Sequence, residues 1–168
     1  LRRCNIFING WNRNKKGLLV VSGGILQTFA LKRARELGIE TYLVDGSEHC
    51  AARNFADHFY LISTRDADGI ATLAKDLASQ SKIHGVYTQG ADVEHIVALA
   101  ARAAGLPGID PESAFNCNNK VRTRRLLTEH GVSKVPFTVV ENLVDADALV
   151  ARVGYPCYVK PIDNSASR

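Results

Sequence analysis

Four consecutive aliphatic residues, Leu18-Leu19-Val20-Val21, lead straight into Ser22-Gly23-Gly24 and then into a stretch of helical period. This order constrains the fold more than any other segment. A strand with no polar residue on either face has to be covered on both, which is the condition of a parallel sheet in an α/β unit. Ser22-Gly23-Gly24 turns the chain. From Ile25 onward Leu26, Phe29, Ala30, Ala34 and Leu37 recur on one predicted face, with Lys32, Arg35 and Glu36 off it, until Gly38 supplies a C-terminal cap.

The alternation repeats. Thr41-Tyr42-Leu43-Val44 reads as a second strand ended by Asp45-Gly46, and Phe59-Tyr60-Leu61-Ile62 as a third. Residues Ala67 to Gln80 carry Ile70, Leu73, Ala74 and Leu77 at helical spacing. Gly85-Val86-Tyr87 is a fourth strand, running through Thr88-Gln89-Gly90-Ala91-Asp92 into a helix with Val93, Ile96, Val97 and Ala100 inward and Gly105 at its end. Strands that alternate with helices of ten to fourteen residues build a parallel sheet by crossover connections. Residues 17–111 are therefore expected to form a Rossmann-like α/β domain.

Leu106-Pro107-Gly108-Ile109-Asp110-Pro111 marks the expected boundary. Beyond it, a helical stretch begins near Glu112, Asn118 or Asn119 is placed to cap a helix running to His130, and Gly131 ends that helix. Phe137-Thr138-Val139-Val140 reads as a strand, Asp145 to Val153 as a short helix and Cys157-Tyr158-Val159-Lys160 as another strand. Residues 112–168 thus read as an unfinished β-α-β unit.

Charge and cysteine usage exclude several classes. Of 21 basic residues, Arg2, Arg3, Arg13, Lys15 and Lys16 fall in residues 1–16 with no acid, leaving 16 against 17 acids in the body. A basic extension with no basic stripe or stacking motif behind it does not indicate a nucleic-acid partner. The 46% hydrophobic content includes no run of the roughly 18 apolar residues that a membrane span needs. Cys4, Cys50, Cys117 and Cys157 form no CxxC pair, which fits isolated thiols in a cytoplasmic protein. Oligomeric state, a homo-oligomer included, is not written in the sequence.

Several places offer chemistry, each with a plainer alternative. The backbone of Gly23 and Gly24 stands where the first strand feeds the first helix and can receive an anion, or simply turn the chain. The spacing is not the G-x-G-x-x-G of a dinucleotide site. Asp45 ends the second strand, where a ribose-binding acid would sit. Gly90, Asp92 and Glu94 follow the fourth strand at the carboxyl edge of the sheet, where open α/β sheets bind ligands, and Asp92 equally suits a helix cap. Lys120 and Arg124 share a helix face at i and i+4, ready for a polyphosphate or for solvent. Lys160 ends an apolar run just before Pro161, at the foot of a polar loop or in solvent.

The order of these parts resembles the ATP-grasp superfamily. It comprises a Gly-Gly turn after the first strand, a four-strand unit, Leu106 to Pro111, Asn119-Lys120-Val121-Arg122-Thr123-Arg124, Gly131-Val132 to Val135-Pro136, and Gly154-Tyr155-Pro156 to Lys160-Pro161. Carbamoyl-phosphate synthase large chains and biotin carboxylases look nearest. The resemblance implies a pre-ATP-grasp domain followed by the first part of an ATP-clamping domain. It implies a ligase that uses ATP and magnesium to activate a small carboxylate as an acyl phosphate for attack by an amine or similar nucleophile. Lys160 would contact the nucleotide, Lys120 and Arg124 its phosphates, and Asp163, Ser165, Ser167 and Arg168 would begin a loop over them. Asn119 stands where the family often has Asp. The acidic magnesium ligands would lie beyond Arg168, so these 168 residues are expected to be an N-terminal fragment that is inactive alone. The alternative is a non-catalytic Rossmann-like module that binds a small ligand or a partner.

Overall fold

The computed structural model describes residues 16–163. Four strands, β1 (Gly17–Val21), β2 (Glu40–Asp45), β3 (His58–Leu61) and β4 (Gly85–Tyr87), form one parallel sheet in the order β3-β2-β1-β4. Helices α1 (Gln27–Glu36), α2 (Ala67–Ser79) and α3 (Glu94–Ala103) link or follow the strands. The α/β class and the parallel sheet expected from residues 18–21 are therefore observed.

Both faces of β1 are covered. Leu19 and Val21 pack with Ile70, Ala74 and Leu77 of α2 and with Ile96 and Ala100 of α3. Val20, one residue out of phase, points to the other face and packs with Leu31 of α1, Leu43 of β2 and Ala52. The period-2 alternation of a strand explains why a run with no polar residue was required.

The inward face of α1 differs from the one read off its apolar spacing. Gln27, Thr28, Leu31 and Ala34 are buried, whereas Phe29 is 65% exposed, and Leu26 and Leu37 also lie outward. Helical spacing names a stripe but not the stripe that meets the sheet. Here two polar residues at the first turn are drawn in because Gln27 and Thr28 both find partners, Gln27 Nε2 donating to the Gln89 carbonyl at 2.9 Å and Thr28 Oγ1 to the Ile25 carbonyl at 2.6 Å.

Beyond α3, α4 (Pro111–Asn118) packs back on it through Ala114, and Asp110 caps α4 by accepting from the Ser113 N–H at 2.9 Å. Helix α5 (Lys120–Glu129) starts at Asn119, whose side chain accepts from the Arg122 N–H at 3.0 Å, as one of the two expected caps. A 3-10 turn (Leu143–Asp145) precedes α6 (Ala146–Val153). The strands expected at residues 137–140 and 157–160 are not formed. Neither segment pairs with the four-strand sheet, and Tyr158 and Val159 are almost fully exposed. Apolar and β-branched composition favours an extended chain, but a strand exists only where another backbone completes its ladder. Among the described residues no helix is long and apolar enough to cross a membrane.

One polar contact at the amino end of β2 makes stability depend on pH. Asp57 accepts from the Thr41 N–H and the Thr41 hydroxyl, each at 2.8 Å. Burial opposes the charged carboxylate, but these two bonds, with Arg35 and His58 nearby, outweigh it and hold its pKa below the usual carboxylate range. A lowered folded pKa stabilises the fold above the unfolded-state value of about 3.9, and this contribution is lost as pH falls through the folded value. Asp57→Asn is expected to cost about 1 kcal/mol at pH 7, discounted for the group's exposure. Urea denaturation at pH 7 and pH 3 should show the wild type and the variant converging at the lower pH. A difference that widens on acidification would contradict this account.

Candidate functional site

The carboxyl ends of β1 and β4 are adjacent in the sheet, and the loops that follow them part around a cleft of about 780 Å³. Open parallel sheets bind ligands at such a place, where the chain leaves neighbouring strands in opposite directions. The walls include Ser22, Gly24 and Gln27 after β1, Thr64 and Arg65 after β3, and Gly90 and Asp92 after β4. His95, Phe115, Asn119 and Asp163 complete much of the rest.

Local geometry explains how the glycine turn reaches the cleft. Ser22 adopts φ +80°, and its N–H donates to the Val44 carbonyl at 2.9 Å. Asp45 takes the Gly23 N–H on Oδ2 at 2.7 Å and the Ser47 N–H on Oδ1 at 2.8 Å. A side chain at position 23 would run into Cys50, whose Cβ would lie 2.8 Å from the added Cβ. The turn therefore needs glycine at 23 for space, and Asp45 serves as its clamp. Burial, and then the Asp45 carboxylate, pushes the Cys50 thiol pKa up, which keeps it protonated rather than nucleophilic.

The opposite wall is joined to the first by polar contacts. Gln27, only 2% exposed, bonds across to the β4–α3 loop, and Thr88 Oγ1 donates to the Val21 carbonyl at 2.8 Å. Gly90 takes φ +59°, a left-handed conformation that glycine adopts at little cost. Asp92 also has positive φ, at +44°, and the N-cap residue of α3 is Val93, with no side-chain cap bond. The N-cap position of α3 therefore falls one residue after Asp92.

The structure brings some of the expected site residues together and leaves others apart. Gly24, Gly90, Asp92 and Asp163 line the cleft. Gly23 and Asp45 sit behind it as support, and Glu94 accepts from Asn118 Nδ2 at 2.8 Å. Lys120 and Arg124 lie on α5 outside the cleft lining. The Lys120 N–H donates to the Ile162 carbonyl at 3.0 Å, which fastens the segment after Lys160 to the first turn of α5. Arg124 reaches Ser133 Oγ at 3.4 Å. Lys160 is exposed, its Nζ 5.9 Å from the Tyr158 ring centroid. Ser165, Ser167 and Arg168 lie outside the described residues. Arg65, His95 and Phe115 were not foreseen, because each comes to the cleft from a helix start or a neighbouring helix that no local motif ties to it.

An α/β unit with a cleft at its strand switch has the architecture in which open parallel sheets bind ligands. Residues 31–108 match the family model described as the ATP-grasp N-terminal domain. The formate-dependent phosphoribosylglycinamide formyltransferase of Sulfurisphaera tokodaii is 27% identical over 87% of this chain and 36% of that protein. The enzyme of the same name from Actinobacillus pleuropneumoniae is 26% identical over 91% of this chain and 38% of its own length. The chain thus spans little more than a third of these relatives. Among solved structures, an L-amino acid ligase from Bacillus licheniformis superposes with TM-score 0.70 at 21% identity, over 91% of this chain and 39% of that one. A phosphoribosylglycinamide synthetase from Anaerococcus prevotii gives 0.66 at 24% identity, over 85% and 36%. Over residues 31–108, a little under half of its length, the chain is thus similar to the ATP-grasp N-terminal domain. The relatives named here are formyltransferases, a synthetase and an amino acid ligase rather than the carbamoyl-phosphate synthase and biotin carboxylase branch that the motif order suggested.

Proposed function

We propose that this chain supplies the substrate cleft and the first nucleotide contacts of an ATP-dependent ligase that joins a small carboxylate to an amine. The observation that carries the reading is the hydrogen bond from the Lys120 N–H to Ile162. It fastens the Lys160–Asp163 segment beside α5, while Asp163 also lines the cleft at the strand switch. In this reading the nucleotide contacts lie beside the substrate pocket. The formyltransferase relatives, whose names pair formate with a glycinamide, support a carboxylate and an amine as the two substrates.

In this reading Lys120, Arg124 and Lys160 hold ATP, with Asp163, Ser165, Ser167 and Arg168 along the same segment. Their cations suit a polyphosphate, and both Lys120 and Arg124 stand on one helix in reach of a shared anion. When bound, ATP with magnesium supplies the phosphoryl group that activates the carboxylate. Magnesium enters only with the nucleotide, and no described residue is assigned to it. The cleft orients the substrates through Gly24, Gly90 and Asp92, with Gly23, Asp45 and Glu94 shaping its walls. The fixed walls hold the reacting groups together, and the cations stabilise charge on a transferring phosphoryl group.

Nucleotide binding by the complete gene product tests this. Lys120→Ala and Lys160→Ala are each expected to weaken ATP binding by about tenfold or more, since a hydrogen bond to a charged group contributes roughly 1.5–3 kcal/mol. Arg102→Ala, on the exposed last turn of α3, should leave it unchanged. Calorimetric titration that shows equal affinity in all three variants would sink the assignment and favour a non-catalytic binding module.

A further inference from the structure

Helix α5 carries Lys120 and Arg124, yet none of its own residues is fully buried, and Val121, Leu126 and Leu127 are only half-buried. Apolar packing alone therefore does not fix its direction. The link to α4 is the single residue Asn119, at φ −97° and ψ 107°, and a small rotation there swings the whole of α5.

Contacts from Arg122 hold the angle between the two helices. Arg122 Nε donates to Asn116 Oδ1 at 2.7 Å, its Cζ stands 4.8 Å from the centroid of the Phe115 ring, and Nη2 is 3.6 Å from Glu112 Oε1. The pair with Glu112 contributes least, because that side chain is 76% exposed and a solvated ion pair is worth little. The short charge-assisted bond and the ring beneath the guanidinium set the geometry. Thr123 Oγ1 adds a second strut by donating to the Asn116 carbonyl at 2.6 Å.

Helix α4 is itself fixed to the α/β unit. Ala114 is buried, Asn118 Nδ2 donates to Glu94 Oε2 at 2.8 Å, and Phe115 meets His95 edge to face with ring centroids 5.8 Å apart. Arg122 thus ties α5, through Asn116 and Phe115, to the first turn of α3.

We propose that Arg122 is a positioning residue, which holds α5 against α4 so that Lys120 and Arg124 meet the nucleotide, and that it does not itself bind phosphate. Residues two apart on a helix do not face each other, so Arg122 points away from the face that Lys120 and Arg124 share. Its Nε–H is already committed to Asn116. The inference rests on the reading of Lys120 and Arg124 as nucleotide contacts and adds a residue that acts through them.

The test combines two measurements on the complete gene product. In calorimetric titration with ATP, Arg122→Ala and Asn116→Ala are each expected to weaken binding about tenfold, although Asn116 carries no charge. The double variant should be no more than about twofold weaker than either single one, since both break the same contact. Arg122→Lys keeps the charge but not the planar fork, and should bind nearly as weakly as Arg122→Ala. Arg125→Ala removes the same charge from an exposed position of α5 and should change affinity by less than about twofold. Without nucleotide, amide hydrogen exchange over residues 123–129 should be at least about fivefold faster in Arg122→Ala and Asn116→Ala, with the β2 amides unchanged as the sign of an intact fold. Full affinity in Asn116→Ala or Arg122→Lys, additive losses in the double variant, or unchanged exchange in α5 would each overturn the proposal. Unchanged affinity in both Lys120→Ala and Arg124→Ala would instead overturn the nucleotide reading beneath it, so the two failures are told apart.

Discussion

Leu43→Ala is expected to lower the free energy of unfolding by about 2–5 kcal/mol, the range for deleting a buried leucine side chain where the surroundings relax only in part. Leu43 is fully buried in a central strand, paired in register with Val20 on one side and Phe59 on the other. Its side chain fills the α1 face of the sheet with Val20, Leu31 and Ala52. None of these can follow an alanine without giving up its own contacts, because close-packed interiors leave no slack. Phe29→Ala provides the contrast. Apolar spacing makes Phe29 look like core, but it is 65% exposed, so its loss should change stability by no more than about 0.5 kcal/mol. Urea denaturation of both variants measures the difference, and a larger cost at Phe29 than at Leu43 would mean that α1 docks by its other face.

Gly23→Val is the second large effect, and it acts at the cleft. The added branch meets Cys50, so the loop after β1 has to move or the Cys50 turn has to open. Overpacking of this kind costs roughly 1–3 kcal/mol. Movement also strains the bond from the Gly23 N–H to Asp45 and the one from the Ala52 N–H to the Gly23 carbonyl at 2.9 Å, each contributing about 0.5–1.5 kcal/mol. The expected result is a clear drop in thermal midpoint together with loss of ligand binding at the cleft. Combining Gly23→Val with Cys50→Gly removes the obstructing side chain and should recover part of both. Absence of any recovery would place the strain in the backbone of the turn instead.

The value of the sequence reading varied with how local the cause was. The four strands of the sheet lie within one or two residues of their expected positions, because an unbroken apolar run bounded by Gly, Asp or Pro has few other uses. Asn119 as a cap and Gly131 as a helix terminator were equally legible, since capping is decided within one turn. The errors are of another kind. The buried face of α1 and the absent strands at residues 137–140 and 157–160 depend on what the segment meets. The cleft divides along the same line. Gly24, Gly90 and Asp92 could be read from their place after β1 and β4, whereas Arg65 and His95 come together only because α2 and α3 pack against one another.

The glycine turn, the alternation of strands and helices and the placing of the cleft at the carboxyl edge were set by residue order alone. Each follows from short-range sterics and from the need to cover both faces of β1. Only the tertiary structure decided that Gln27 would be buried and bridge two loops, that Asp45 would clamp the turn, and that Arg65 and His95 would line the same cleft. Those outcomes join residues up to about 70 positions apart, and they arise from the packing of whole elements, which no local pattern encodes.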